Sequence, residues 1–391
     1  MVAIGPMDAK SYNESPHLVL SLIKTLKPLK IIGYSVIILC VGALWYLSII
    51  GEWLQDSGTD FTYGNLSAVV LTAAHLKLGS EGTIRLNILA HNLRMMLPVE
   101  NVTAMAEVKS ILIVSHDGAR REAQDFVDKW LAQDGVKNLV THVIWERNDP
   151  VKVDLAKWLV YLRKMRNMML QRMIRRVILI NDSFVLIRKV PELFESRGDV
   201  LGLVWTGPPS DPNTHIQSYL RSLSATGALA FLNYCEKEIK SAVSVSQVIR
   251  KFEMYLGWSP SGVQSLYEAA ECGHPDSDDA QRELLPKGYP AIKLKKYHVP
   301  DDPWLQLDPE SRPDISPSFS ENVYRKSNHD LNHMSDKQLR NHFASHGWQE
   351  GRVYSNLPLK IKPWLGEFLA SRGAHSALEI FKDHLQVLNA A

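Results

Sequence analysis

Short apolar runs that stop abruptly at polar turn formers recur along this chain. Residues 177–180 (VILI) follow two arginines and end at Asn181-Asp182-Ser183. An apolar run bounded in this way predicts a buried parallel strand. Residues 109–115 (KSILIVS) repeat the form and end at His116-Asp117-Gly118. Residues 138–145 (NLVTHVIW) predict a further strand. Between these runs, 120–131 sets Ala123, Phe126, Val127 and Trp130 on one helical face, and 154–176 reads as one long helix. Strands alternating with helices of this length predict βαβ units and a mainly parallel sheet, an α/β fold.

Outside that block the pattern changes. Residues 31–50 (IIGYSVIILCVGALWYLSII) are uncharged throughout, long enough for a transmembrane helix. Lys24, Lys27 and Lys30 precede the run, and Glu52, Asp56 and Asp60 follow it, which predicts a single-pass membrane anchor with a cytosolic N-terminus. In a cell with a Golgi that is the type II orientation. Residues 51–107 carry helical patterning in LSAVVLTAAHLKL and IRLNILAHNLRMML and read as a stem or packing arm. Residues 272–320 are rich in Pro, Asp and Ser, which is turn chemistry. Residues 321–356 read as a compact module and 357–391 end in an amphipathic helix. The expected organisation is therefore a tail at 1–30, a membrane helix at 31–50, a stem at 51–107, an α/β domain at 108–302 and a C-terminal loop and helical module at 303–391.

Composition narrows the classes without choosing one. The 391 residues are 45% hydrophobic and 22% charged, with a net charge of +2. That balance gives no strong global attraction to nucleic acid or to an anionic membrane. Cys40, Cys235 and Cys272 do not make a disulfide framework. The chain has no P-loop, HExxH, paired CxxC or GxSxG motif, so hydride transfer, P-loop hydrolysis, zinc proteolysis and α/β-hydrolase chemistry have no support.

Strand ends are where open α/β sheets hold ligands. Asn181, Asp182 and Ser183 offer a carboxylate, an amide oxygen and a hydroxyl there. They are either partial ligands for a divalent cation held with substrate phosphates or a plain capped turn. His215 and Gln217, with Ser218, lie in HIQSYL. Alternate residues of a strand share a face, so the first two would face a cleft together or satisfy the core together. Glu253, in KFEMYLG, is a general-base candidate or an ordinary helical glutamate. Arg163, Lys164, Arg166, Arg172, Arg175 and Arg176 form either a phosphate patch or the solvated face of a helix.

Four of these pieces together resemble the rhamnan synthesis protein F family of glycosyltransferase-like proteins. They are ILIVSHDG at 111–118, Arg147-Asn148 followed by Asp154 and Trp158, ILINDS at 178–183, and HIQSYL with FEMYLG after it. The resemblance covers about 108–260. The family carries a glycine-rich stretch between the Arg-Asn pair and the aspartate, whereas this chain has Asp149-Pro-Val-Lys-Val153. A second resemblance, SDKQLRNHFASHGWQEGRVY at 335–354, is to a small helical module attached to polysaccharide-biosynthesis glycosyltransferases; His342, Phe343, Gly347, Glu350, Gly351 and Arg352 fit it.

The first resemblance implies a glycosyltransferase A-like nucleotide-binding sheet flanked by helices. It implies a nucleotide-sugar donor, a glycan or polysaccharide acceptor and a divalent metal, Mn or Mg. Asp182 would face the metal or diphosphate and Asp154 the nucleotide. His215 and Gln217 would line the sugar or acceptor site, with His116, Asp117, Arg147, Asn148, Asn181, Ser183 and Ser218 around them and Glu253 as the base. The other class of reading is a non-catalytic glycan-binding or scaffold protein on the same fold, because Asn181-Asp182-Ser183 lacks the second carboxylate of a D-x-D site.

Overall fold

A computed structural model of the protein describes residues 66–97, 108–196, 198–207, 214–268, 274–308, 311–328, 331–348 and 352–390. The expected tail at 1–30 and the apolar run at 31–50, expected to span a membrane, lie outside these residues. Among the described residues no helix is long and apolar enough to cross a membrane.

Seven strands form the central sheet: β1 (Leu66–His75), β2 (Val108–Ser115), β3 (His142–Glu146), β4 (Ile174–Asn181), β6 (Val200–Val204), β7 (Leu220–Ser224) and β8 (Val263–Tyr267). Their order is β3-β2-β1-β4-β7-β6-β8. Pairing is parallel from β3 to β4 and between β6 and β8, and antiparallel on both sides of β7. β5 (Phe184–Leu186) leaves the sheet directly after β4 and pairs with β9 (Ala291–Lys293) in a separate ladder.

Two helices cover one face, α1 (Ser80–Met96) and α2 (Arg120–Leu131). Ile88 and Leu93 of α1 share a core with Ala68, Val70, Ile178 and Ile180 of the strands. Ala123, Val127 and Trp130 of α2 pack with Leu112 and Val114. Each of the valine, leucine and isoleucine side chains among these contributes about 1.5–3 kcal/mol when taken from water. The other face carries α3 (Val153–Lys164) against β1 and β2, and α4 (Ala225–Glu238) against β4 and β7. The final helix, α5 (His375–Ala390), returns to α1 and places Phe381 and Leu385 in the main core.

Three segments depart from the sequence expectation. Leu66–His75, whose pattern reads as helix in a stem, is the inner strand on which the sheet is organised. It is buried on both faces, so it shows no alternation, and its alanines mimic a helix. The long helix expected over 154–176 stops at Lys164, a short turn Arg166–Leu170 follows, and β4 starts at Ile174. An arginine inside the strand hides that start. Arg176 is buried, and its guanidinium donates to the Ser222 hydroxyl and to the carbonyls of Ser196, Gly198 and Ser222. HIQSYL is not a strand. Ile216 makes one bridge to Trp205, and β7 begins at Leu220.

The expected module at 321–356 has its own core of Tyr324, Leu339, Phe343 and Tyr354, joined by Trp304. Gly347 is required there, because a Cβ would lie 1.7 Å from the Tyr324 hydroxyl. That hydroxyl also meets His342 Nδ1 at 2.8 Å.

Candidate functional site at the strand ends

From β1 the chain steps outward to β2 and β3, then returns to the other side of β1 as β4. The direction of winding therefore reverses between β1 and β4, and open α/β sheets hold ligands in the crevice beyond the carboxyl ends of the strands at such a switch point. His75, Ser115, Glu146 and Asn181 end the four strands at this edge.

One half of the crevice is a hydrogen-bonded network over β1, β2 and β3. His75 Nδ1 meets the Ser115 hydroxyl at 3.0 Å, and its Nε2 lies 3.2 Å from Asp117 Oδ2. Asn148 donates to Asp117 Oδ1 at 2.8 Å. His116 Nδ1 is tied to the Leu76 carbonyl at 2.9 Å. Arg147 is exposed beside them.

The other half is built on β4 and the start of α3. Asp149 accepts from the backbone N–H groups of Val151 and Lys152 and turns the chain. Val153 then adopts φ +45°, a strained conformation for a β-branched residue. Asp154 follows on the first turn of α3 and accepts from Asn181 Nδ2 at 3.1 Å and from the buried Lys157 ammonium at 3.5 Å. Burial pushes its carboxyl up to about 6; Lys157 opposes that shift and Asp182 adds to it. Ser183 donates to Asn181 Oδ1 at 2.7 Å. Asp182 accepts from Arg85 at 3.1 Å, and Arg85 is held in turn by Glu81 at 3.3 Å.

Two carboxylates in one crevice thus have different environments, a common basis for acid–base division of labour. Asp182 is paired with a guanidinium, whereas Asp154 is desolvated and exchanges a proton near neutral pH. The donor set does not build a metal centre of its own. Asp182 Oδ2 is taken by Arg85, both Asp154 oxygens accept from neighbours, and among the described residues no three His, Cys, Asp or Glu converge for a metal ion.

Beside this crevice lies a cluster that the sequence does not reveal. The Leu294 N–H donates to the Ser183 carbonyl at 2.9 Å, which sets Lys293 next to the end of β4. Lys293 pairs with the buried Asp276 at 3.2 Å, and His274 Nδ1 accepts from the Asp276 N–H at 3.3 Å. Gln217 is buried, and its amide meets His274 Nε2 at 3.1 Å. His215 engages Thr206 through its backbone at 3.0 Å and its ring at 3.2 Å. His215 and Gln217 are therefore committed to protein partners rather than aimed together from a strand face. Ser218 is half-buried in the turn after them, and the Glu253 side chain lies outside the described residues.

The basic run over 163–176 does not reach the crevice. Arg163 and Arg166 both pair with Glu236, and Arg176 is spent at the opposite end of β4. The cation beside Asp182 is Arg85, contributed by α1. His75, Arg85, Lys157, His274, Asp276 and Lys293 are the residues that sequence reasoning missed. His75 alone has a local signal, an apolar run ending in a polar side chain.

The geometry defines an α/β protein with a cluster of polar side chains at the switch point of a mostly parallel sheet. Neither the known protein families nor the characterised proteins contain a match to this chain.

Proposed function

We propose that the protein is a glycosyltransferase that moves a sugar from a nucleotide-sugar donor to a glycan or polysaccharide acceptor, on a glycosyltransferase A-like sheet. One observation carries this reading. Asp117 with Asn148, and Asp154 with Asn181, drawn from three of the four segments of the family resemblance, form two hydrogen-bonded pairs at the carboxyl ends of the parallel strands, with Asp182 close enough to Asp154 to raise its pKa. The 3-2-1-4 order of the parallel half supports it, because doubly wound nucleotide-binding sheets use that order and bind at the same switch point.

In this reading the Asp117–Asn148–His75 network receives the nucleoside through its outward acceptors and donors. Arg85 supplies positive charge for the leaving diphosphate, a preorganised role for a cation held by Asp182 and Glu81. Asp154, protonated for part of the time near neutral pH, donates to a donor oxygen or accepts a proton. The anchor at 31–50 would hold the domain at a membrane. The second reading, a glycan-binding protein without turnover, is favoured by the pairing of Asp182 with Arg85, which neutralises the proposed acid. Release of nucleoside diphosphate from a panel of nucleotide sugars by the full-length chain separates the two. Turnover that is lost in Asp182→Ala supports transfer. Tight nucleotide or glycan binding without turnover supports the second reading.

A further inference from the structure

Eight large apolar side chains are exposed among the described residues, and four of them, Val243, Val245, Ile249 and Tyr255, fall in one stretch after α4. Val243 is the most open, at 73%. Ser244 caps the helical turn Val245–Val248, which continues into the wider helical segment Ile249–Met254. Val245 and Ile249 are four residues apart and share a face. The Val243 N–H donates to Gln247 Oε1 at 2.8 Å, which fixes Val243 to the start of the same turn.

A groove of about 530 Å³ lies between this segment and α4, lined by Tyr234, Lys237, Glu238, Arg250, Lys251 and Tyr255. Between Tyr234 and Tyr255 the chain carries four basic side chains, Lys237, Lys240, Arg250 and Lys251, against three acids, Glu236, Glu238 and Glu253; Lys251 pairs with Glu238 at 3.1 Å and Glu236 pairs with Arg163 and Arg166, which leaves Lys237, Lys240 and Arg250 exposed. Exposed aliphatic groups, an exposed tyrosine and the exposed cations Lys237, Lys240 and Arg250 thus fall within one short stretch of chain, and Tyr255 and Arg250 line the groove beside it.

We infer that this surface docks on an anionic lipid membrane. Valine and isoleucine side chains enter the acyl boundary, tyrosine sits at the interface, and the cations meet headgroup phosphates. An acidic glycan would use the cations and the tyrosine rings but leave Val243, Val245 and Ile249 in water. The inference stands apart from the glycosyl-transfer reading and from the apolar run at 31–50. It concerns a second contact made by the globular unit.

Hydrogen–deuterium exchange over 239–255 tests it, with the full-length chain in nanodiscs of phosphatidylcholine alone or with phosphatidylglycerol. Exchange slows about fivefold in the anionic discs, the effect of about one interfacial cation. The slowing is lost in V243D/V245D, whose changed side chains are exposed, and in K240E/R250E, which keeps the apolar face. Equal exchange in both discs, or slowing that survives in both variants, overturns the inference. So does protection by a soluble acidic polysaccharide with none from lipid.

Discussion

Replacing Asp154 by asparagine isolates the most perturbed carboxyl in the crevice. Its folded pKa is about 6 against an ordinary value of 3.8. That gap is worth about 3 kcal/mol at 1.36 kcal/mol per unit. The side chain keeps 23% of its surface open, so about 2 kcal/mol is the better expectation. The sign follows from proton binding. Between pH 4 and 6 the folded state binds more protons at Asp154 than the unfolded chain, so stability falls as pH rises through that window. The contribution is fully present below the unfolded pKa and lost above the folded one. An asparagine side chain cannot titrate, so the difference in stability between wild type and Asp154→Asn should change by about 2 kcal/mol between pH 4 and 7, in favour of the variant at the higher pH. The attraction between the Asp154 carboxylate and the buried Lys157 is already contained in that pKa, and whatever else the asparagine changes is an offset common to all pH values. Denaturant unfolding of the full-length proteins in detergent at several pH values measures the difference. Parallel stability curves for the two proteins would refute the argument that Asp154 is desolvated.

Three further outcomes follow from the same geometry. Val153→Gly should raise stability by about 1 kcal/mol, since it relieves a left-handed β-branched residue, and a lower melting temperature would show that the strain is absent. Gln217→Ala should lower stability by about 1–2 kcal/mol by leaving His274 Nε2 without its partner; a normal melting temperature with lost turnover would instead make Gln217 a ligand contact. Arg85→Ala should reduce transfer by about 100-fold or more and also lower the melting temperature, because the largely buried Asp182 loses its partner; unchanged turnover would remove Arg85 from the diphosphate site.

The readable parts of this molecule are those whose signal is local. β2, α2 and the turn after β4 each announce themselves by a short apolar run, an amphipathic face or a cluster of turn formers. β1 misleads because a strand buried on both faces loses its period. The start of β4 misleads because Arg176 finds its partners from Ser196 to Ser222, far along the chain. Asp117, Asn148, Asp154 and Asn181 are legible as strand-end and helix-start residues. Arg85, His274 and Lys293 are not, because nothing in their neighbourhoods marks them. Arg85 reaches Asp182 across 97 residues of chain, and Lys293 comes beside Ser183 only through the β5–β9 ladder. The basic helix over 163–176 shows the converse. Its charges make a clear pattern, and Glu236 claims two of them away from the crevice.

The central claim is that the crevice at the ends of β1 and β4 turns over a nucleotide sugar. The most direct measurement is nucleoside diphosphate release by the full-length protein across a panel of nucleotide sugars, with Asp182→Ala and Asp117→Ala run beside it. Turnover is expected with at least one donor, abolished by Asp182→Ala and weakened through donor affinity by Asp117→Ala, with both variants folded. A donor consumed equally well by wild type and Asp182→Ala, or no binding of any nucleotide sugar to the folded protein, would contradict the claim.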